Sequence, residues 1–247
     1  MRSLYLAWQA PNRAWFPVGR LDADLPAHVF KFRYTRGARQ AEHEVGFQPL
    51  PAFPDFERTY ESSELFPLFQ NRVLDPGRKD FADYLESLDL GQSADPIAIL
   101  AVSGGERQTD NFEVFPRIEA LADGRFRTRF FLHGWRHMTP EAQARAMNLK
   151  AGEPLGVSVE LTNRTKQFAI QLTTEDYVFL GWTPRYLVSD LLRAIAEEPE
   201  VTASVVRINS DDVPANRRVL VDLTGKLPPG VMPMSSEEFQ PLAVVAH

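Results

Sequence analysis

Apolar and polar positions alternate at period two near the start of the chain. Val29-Phe30-Lys31-Phe32-Arg33-Tyr34 sets apolar against basic residues, the pattern of a strand with one buried and one wet face. Two apolar runs precede it, Leu4 to Trp8 and Trp15 to Leu21, divided by a Pro11-Asn12-Arg13 turn and a break at 22–26. Together these runs predict a small antiparallel meander. Pro49, Pro51 and Pro54 then impose an extended or looping path. Beyond them the period lengthens. Ser62 or Ser63 is placed to cap a helix through Leu65, Phe69 and Val73, with Pro67 in its first turn. Phe81, Leu85 and Leu88 recur at helical spacing until Gly91. Asp95-Pro96 opens a short helix from Ile97 to Val102 that stops at Gly104-Gly105, and Phe112 to Phe115 reads as a closing strand.

Asp123-Gly124 is a turn dipeptide and the best candidate for a boundary between modules 1–122 and 123–247. After it the pattern predicts a strand from Arg127 to His133 and a helix from Thr139-Pro140 to Met147. Strands follow near 155–161, 167–172 and 177–181, then a helix from Pro184 to Ala196 and strands near 201–208 and 217–223. The end, with Pro228, Pro229, Pro233 and Ser235-Ser236-Glu237-Glu238, predicts an extended, partly mobile tail. No internal repeat is present. The expected class is α+β, a meander with helices followed by a small β-barrel carrying one or two helices.

At 247 residues, 44% hydrophobic and 24% charged, the chain has the composition of a globular protein of one large or two moderate domains. A disordered chain is excluded. Cysteine is absent, which rules out disulfides, thiolate catalysis and Cys-ligated zinc and suits a cytoplasmic setting. Met1-Arg2-Ser3-Leu4 shows no signal-peptide core, and no run approaches the ~18 apolar residues of a membrane span, so no membrane partner is expected. The net charge of −6 is unevenly spread: −6 over 1–124, +4 over 125–193 and −4 over 194–247. Phosphate binding depends on local Lys/Arg density, and the middle segment permits it.

Catalytic signatures are missing. There is no Walker loop, no dinucleotide-type glycine run and no Gly-x-Ser-x-Gly elbow. His133 and His137 lie four apart, but in a strand interrupted by Gly134 that spacing does not set two metal ligands on one face. The adjacent acidic pairs Asp211-Asp212, Glu197-Glu198 and Glu237-Glu238 diverge in direction and read as solvated turns and caps. The expectation is a protein that is not an enzyme and holds no cofactor or metal.

Three pieces of the second half combine aromatic or polar residues with cations near strand ends. They are Gly134-Trp135-Arg136-His137, Thr162-Asn163-Arg164-Thr165-Lys166 and Gly181-Trp182-Thr183-Pro184-Arg185-Tyr186-Leu187. Aromatic faces stack on unpaired bases while Arg and Lys hold phosphates, and the helix start at Pro184 adds partial positive charge. Trp135, Arg136, His137, Arg164, Lys166, Trp182, Arg185 and Tyr186 are therefore candidate nucleic-acid contacts. Core packing of Trp135, Trp182 and Tyr186 is the alternative.

With Leu149-Lys150-Ala151-Gly152-Glu153 and the Glu160 to Leu172 hairpin containing Ala169-Ile170, these pieces resemble a HIRAN domain over about residues 127–200. The resemblance implies a small β-barrel-like module that binds single-stranded DNA, especially 3′ ends, with Arg136 and His137 at the family's Arg-aromatic pair. The hairpin departs from the family's Asn-Pro-Tyr-Asp-x-Asn-Ala-Ile: Thr165 replaces the aromatic, Lys166 the acid and Phe168 the second Asn. Those changes weigh against end-specific recognition, while Arg164 and Lys166 add backbone attraction.

In the first half, Pro17-Val18-Gly19-Arg20-Leu21, Phe32-Arg33-Tyr34, Leu50-Pro51, Phe66 to Leu74 and Ile99 to Gly105 follow one another in order. This order resembles the N-terminal subdomain of HipA-type toxin kinases, over about residues 4–117, with no kinase core after it. The resemblance implies a protein-binding role, as where this subdomain is a separate protein that restrains its kinase. The combined expectation is a non-catalytic accessory protein. One module contacts single-stranded DNA or strand ends, and the other docks a nuclease, helicase or toxin kinase. The rival expectation is a pure protein-interaction or antitoxin-like subunit that binds no DNA.

Overall fold

The computed structural model describes residues 1–107, 109–162, 168–196 and 200–242. The fold is α+β. In chain order the elements are β1 (Arg2–Gln9), β2 (Trp15–Asp24), β3 (Val29–Tyr34), α1 (Arg36–Val45), β4 (Tyr60–Ser62), α2 (Pro67–Gln70), α3 (Phe81–Ser87), α4 (Pro96–Ser103) and β5 (Phe112–Pro116). Then come β6 (Arg125–Phe131), α5 (Pro140–Met147), β7 (Pro154–Glu160), β8 (Ala169–Thr173), β9 (Phe179–Trp182), α6 (Arg185–Ala196), β10 (Thr202–Ile208) and β11 (Val219–Lys226). The chain forms two compact units, neither contiguous in sequence. The first takes residues 1–81, 93–117 and 234–247, and the second takes 82–92 and 118–233. The Asp123-Gly124 turn lies within the second, where Gly124 has a φ of 80° between the bridged residues Ala120 and Phe126.

The first unit is built on an antiparallel sheet of order β4-β3-β2-β1-β5. Phe30, Phe32 and Tyr34 of β3 are buried while Val29, Lys31 and Arg33 between them are half-buried, as the period-two alternation predicts. Phe32 stacks on Phe53 with ring centroids 4.0 Å apart. The buried Tyr34 hydroxyl donates to the Phe53 carbonyl at 2.7 Å and accepts from the Leu50 amide at 2.7 Å. Both ends of a proline-rich loop are thereby fixed to the sheet. On β2, Asp22 is buried but ionised. Burial alone would raise its pKa, yet hydrogen bonds from Ser3 and Arg33 and the Arg20 charge outweigh that and hold it below the usual carboxylate range.

Three features of this unit depart from the expectations. Residues 36–45 form α1, for which no helix was expected; it is closed by Gly46 in the left-handed region. The helix expected from Ser62 or Ser63 to Val73 shrinks to α2. Ser62 ends β4 opposite Phe30, and Phe66 is extended (φ −55°, ψ 141°) because Pro67 disfavours helical backbone in the residue before it. Nor is the tail the loose extension expected of it. Met234 and Phe239 are buried, Phe239 packs on Tyr5 and Phe115, Pro241 bridges Thr35 and the Leu242 amide donates to the Tyr34 carbonyl at 3.0 Å.

In the second unit six antiparallel strands run in the order β6-β11-β10-β7-β8-β9 and curl into a half-barrel. Its buried side chains include Phe126, Phe130, Leu172, Leu180, Val205 and Leu220, with Leu187 and Leu191 of α6. The last turn of α3 joins this unit through Asn209, whose side-chain amide donates to the carbonyls of Ser87 and Arg217 at 2.8 and 2.7 Å. The two edge strands meet. Just past β6, His133 pairs with Trp182 of β9 through two backbone hydrogen bonds of 2.9 Å. This seam is possible because both neighbours are glycine. Gly181 has a φ of 143° with the space for a Cβ occupied by the His133 carbonyl oxygen, and Gly134 has a φ of 97° with that space filled by the Trp182 ring. Among the described residues no helix is long and apolar enough to cross a membrane.

Candidate nucleic-acid interface

The seam gathers part of the expected constellation. Gly134 turns the chain into a 3-10 turn, Trp135–His137. Its His137 ring lies edge-on to Trp182 at 6.2 Å, and Phe179 packs edge-on to the same indole at 4.7 Å. The indole N–H of Trp182 donates to Glu160 Oε2 at 2.7 Å, so Trp182 is held by contacts with two rings and by a carboxylate at its polar edge. Arg185 opens α6 and donates to the carbonyl oxygen of Phe168 at 2.7 Å. Burial lowers the Arg185 pKa, and the nearby Glu160 carboxylate opposes that effect; the guanidinium stays charged at neutral pH. Phe168, immediately before β8, is 51% exposed.

The remaining candidates are placed differently. Arg136 is exposed on the 3-10 turn, and no ion pair to it occurs among the described residues. Tyr186 is half-buried in the first turn of α6. Trp135 is turned to other partners: the Arg218 guanidinium sits over its ring at 5.3 Å, and its carbonyl accepts from the Gln143 side chain at 3.0 Å. Arg218 is itself buried and donates to the Asn209 and Ser210 carbonyls, so Trp135 serves packing around a buried cation. Arg164 and Lys166, with Thr165, lie outside the described residues. Glu160, Phe179 and Phe168 join the site without having been marked as candidate contacts. As a lone acid, an ordinary strand aromatic and a residue known only as a departure from a pattern, they gave no chemical signal in the sequence.

The local charge is redistributed by folding. On β6, Arg127 pairs with Asp222, Arg129 with Asp89 and Asp222, and Arg125 with Asp123 and Glu200. Every one of those acids lies outside the segment 125–193. Within it, Arg145 pairs with Glu153 and Asp176, and Arg193 with Asp190. Most of the apparent excess is thus neutralised, and among the described residues of the seam Arg136 keeps an exposed cation with no ion pair. Among the described residues no three His, Asp or Glu side chains converge as metal ligands.

No family model matches the chain, and no curated protein matches it. A crystal structure of a protein from Lactobacillus plantarum is similar over 42% of this chain and the whole of its own, at 16% sequence identity and a TM-score of 0.34.

Proposed function

We propose that this is a non-catalytic accessory protein whose second unit binds single-stranded nucleic acid, DNA foremost, at the seam. The observation that carries this reading is the convergence of Arg185, Trp182, His137 and the exposed Phe168 beside the exposed Arg136. Such a set offers a cation for phosphate and aromatic surface for bases. Glu160 adds a hydrogen-bond acceptor suited to a sugar hydroxyl. The first unit, by its likeness to the HipA N-terminal subdomain, docks a protein partner such as a nuclease, helicase or toxin kinase.

The test is a titration of labelled single-stranded and duplex DNA against the wild type and the Arg136→Ala/Arg185→Ala protein at ~50 and ~200 mM salt. Two lost phosphate contacts are expected to weaken single-strand binding at least tenfold at the lower salt. They should also flatten its salt dependence by a slope of about 1.4. Equal and negligible binding by both proteins at ~50 mM salt overturns the reading.

One observation favours a second reading, a protein-interaction or antitoxin-like subunit without DNA binding. The arginines of β6 are already matched by Asp222, Asp89 and Glu200, which leaves little spare charge for a polyanion. On that reading neither protein binds DNA, and both hold a HipA-type kinase with equal affinity.

A further inference from the structure

We infer that the outer edge of β6 is a strand-addition site for an extended segment of a partner protein, independent of the nucleic-acid reading above. Leu132, which continues β6, donates its amide to the Val219 carbonyl at 2.9 Å, in line with the register that sets Phe131 opposite Leu220. Main-chain groups alternate in direction along a strand. Those of Phe126, Thr128 and Phe130 therefore point to β11, and those of Arg125, Arg127, Arg129, Phe131 and His133 point away. Both ends of the outward set are closed. Arg125 donates to Asp123 Oδ1 at 3.1 Å and accepts from the Leu121 amide at 2.6 Å, and His133 is paired with Trp182. Between them, Arg127, Arg129 and Phe131 have no main-chain hydrogen-bond partner on that side among the described residues. Phe131 is buried, where an unpaired main-chain group costs most.

Sheet edges are ordinarily blunted, and β5 of the first unit shows how. Arg117, just past its end, donates to the Ser3 carbonyl, so Phe112, Val114 and Pro116 face outward. The Phe112 amide donates to Asp110 Oδ1 at 3.2 Å, the Val114 amide donates to the Gly104 carbonyl at 2.7 Å, and Pro116 has no N–H. β6 lacks such cover. Its arginines are drawn the other way, because Arg127 and Arg129 both pair with Asp222 on β11, across the ladder from the open side. On the other face of β6, Thr128 is buried and its hydroxyl has no hydrogen-bond partner.

A peptide backbone is the occupant that fits. It supplies donors and acceptors in alternation, whereas a phosphodiester backbone offers acceptors alone and leaves the outward carbonyls unmet. A second copy of this chain fits worse. Laid antiparallel on itself about Thr128 or Arg129, β6 sets arginine opposite arginine, and like charges there repel. The added strand carries acids beside Arg127 and Arg129, which share Asp222, with Asp89 also at Arg129. Beside Thr128 it carries a hydroxyl residue, because a pair without main-chain hydrogen bonds brings side chains closest.

The probe is a labelled, capped peptide in which Val, Val, Glu, Thr and Glu fall opposite residues 131, 130, 129, 128 and 127. The wild type is expected to bind it and to slow hydrogen exchange at the amides of Arg127, Arg129 and Phe131. N-methylation of both Glu amides, which face β6, should weaken binding at least about tenfold. N-methylation of the second Val and the Thr, whose amides face away, should leave it within about threefold. Arg127→Pro removes an outward amide that the β11 ladder does not use, and should likewise weaken binding about tenfold. Arg127→Ala loses the same side chain and stays within about threefold. Unchanged thermal melting of both variants shows an intact fold, and the methylated peptides read the same hydrogen bonds if Arg127→Pro unfolds. The inference is overturned by absence of wild-type binding at about millimolar peptide, by equal binding of the two methylated peptides, or by full protection of these amides before peptide is added. Dimerisation abolished by Arg127→Pro, without peptide binding, assigns the edge to a second copy and overturns it as well.

Discussion

Alanine at Gly181 is expected to destabilise the second unit by roughly 2–5 kcal/mol, seen as a fall of about 10 °C in its thermal transition. Two costs combine. A φ of 143° is foreign to any residue with a side chain, and the added Cβ would overlap the His133 carbonyl oxygen. That oxygen is not the end of a flexible side chain. It accepts the 2.9 Å hydrogen bond from the Trp182 amide and forms half of the seam. Relief therefore requires the two edges to part, with His137 and Arg136 carried away from Trp182 and Arg185. Gly152→Ala is the control: its φ is 84°, yet no atom lies within 4 Å of the added Cβ. It should cost only about 1 kcal/mol of backbone strain. Equal melting of the two variants would show that the seam contributes nothing to stability.

The second large effect concerns Glu113 of β5, in the first unit. Its carboxyl is buried, and burial, aided by the negative Glu106, pushes its pKa up to about 8. In the unfolded chain the same group titrates near its ordinary value of 4.5. Between those values the folded state holds a proton that the unfolded state has released, so stability falls as pH rises from about 4.5 to about 8. Above pH 8 both states are ionised and the loss is complete. A displacement of that size is worth on the order of 5 kcal/mol. Glu113→Gln keeps the shape without the ionisation, so its urea-unfolding stability should be nearly flat over this range. It should match the wild type near pH 4.5 and exceed it by several kcal/mol near pH 8.5. Parallel pH profiles for the two proteins would refute the assignment.

The strands were legible because their alternation is local. Val29 to Tyr34 needs no distant partner to reveal which residues face inward, and Asp95-Pro96 and Thr139-Pro140 announce helices in the residues that cap them, each cap accepting amides of the first turn. α1 was not legible. Its buried positions are Gly37, Ala38 and Ala41, too small to register as an apolar face. They are small because the helix lies close: the space for a Cβ on Gly37 is filled by the Pro17 carbonyl.

The tail misled for the opposite reason. Phe239 sits among serine and glutamate, and the rings that bury it belong to Tyr5 and Phe115. At the site, Trp182, His137 and Arg185 stood out as aromatic and cationic residues at strand ends. Trp135 looked the same but answers to Arg218, which is far off in sequence. Segmental charge failed similarly: strand pairing sets Asp222 opposite Arg129, and summation along the chain cannot see across a sheet.

The return of residues 234–242 to the first unit bears on how the protein is made. A ribosome delivers β1 to β5 early, but Phe239 follows Pro116 by more than a hundred residues. At ordinary rates of synthesis that is a wait of roughly 6–25 s. Through that interval Tyr5 and Phe115 lack the ring that covers them in the finished protein. Residues 118–233, which carry all six strands of the second unit, emerge meanwhile, so the half-barrel can complete its core while the domain begun first is still open. The first-synthesised unit is the last to close.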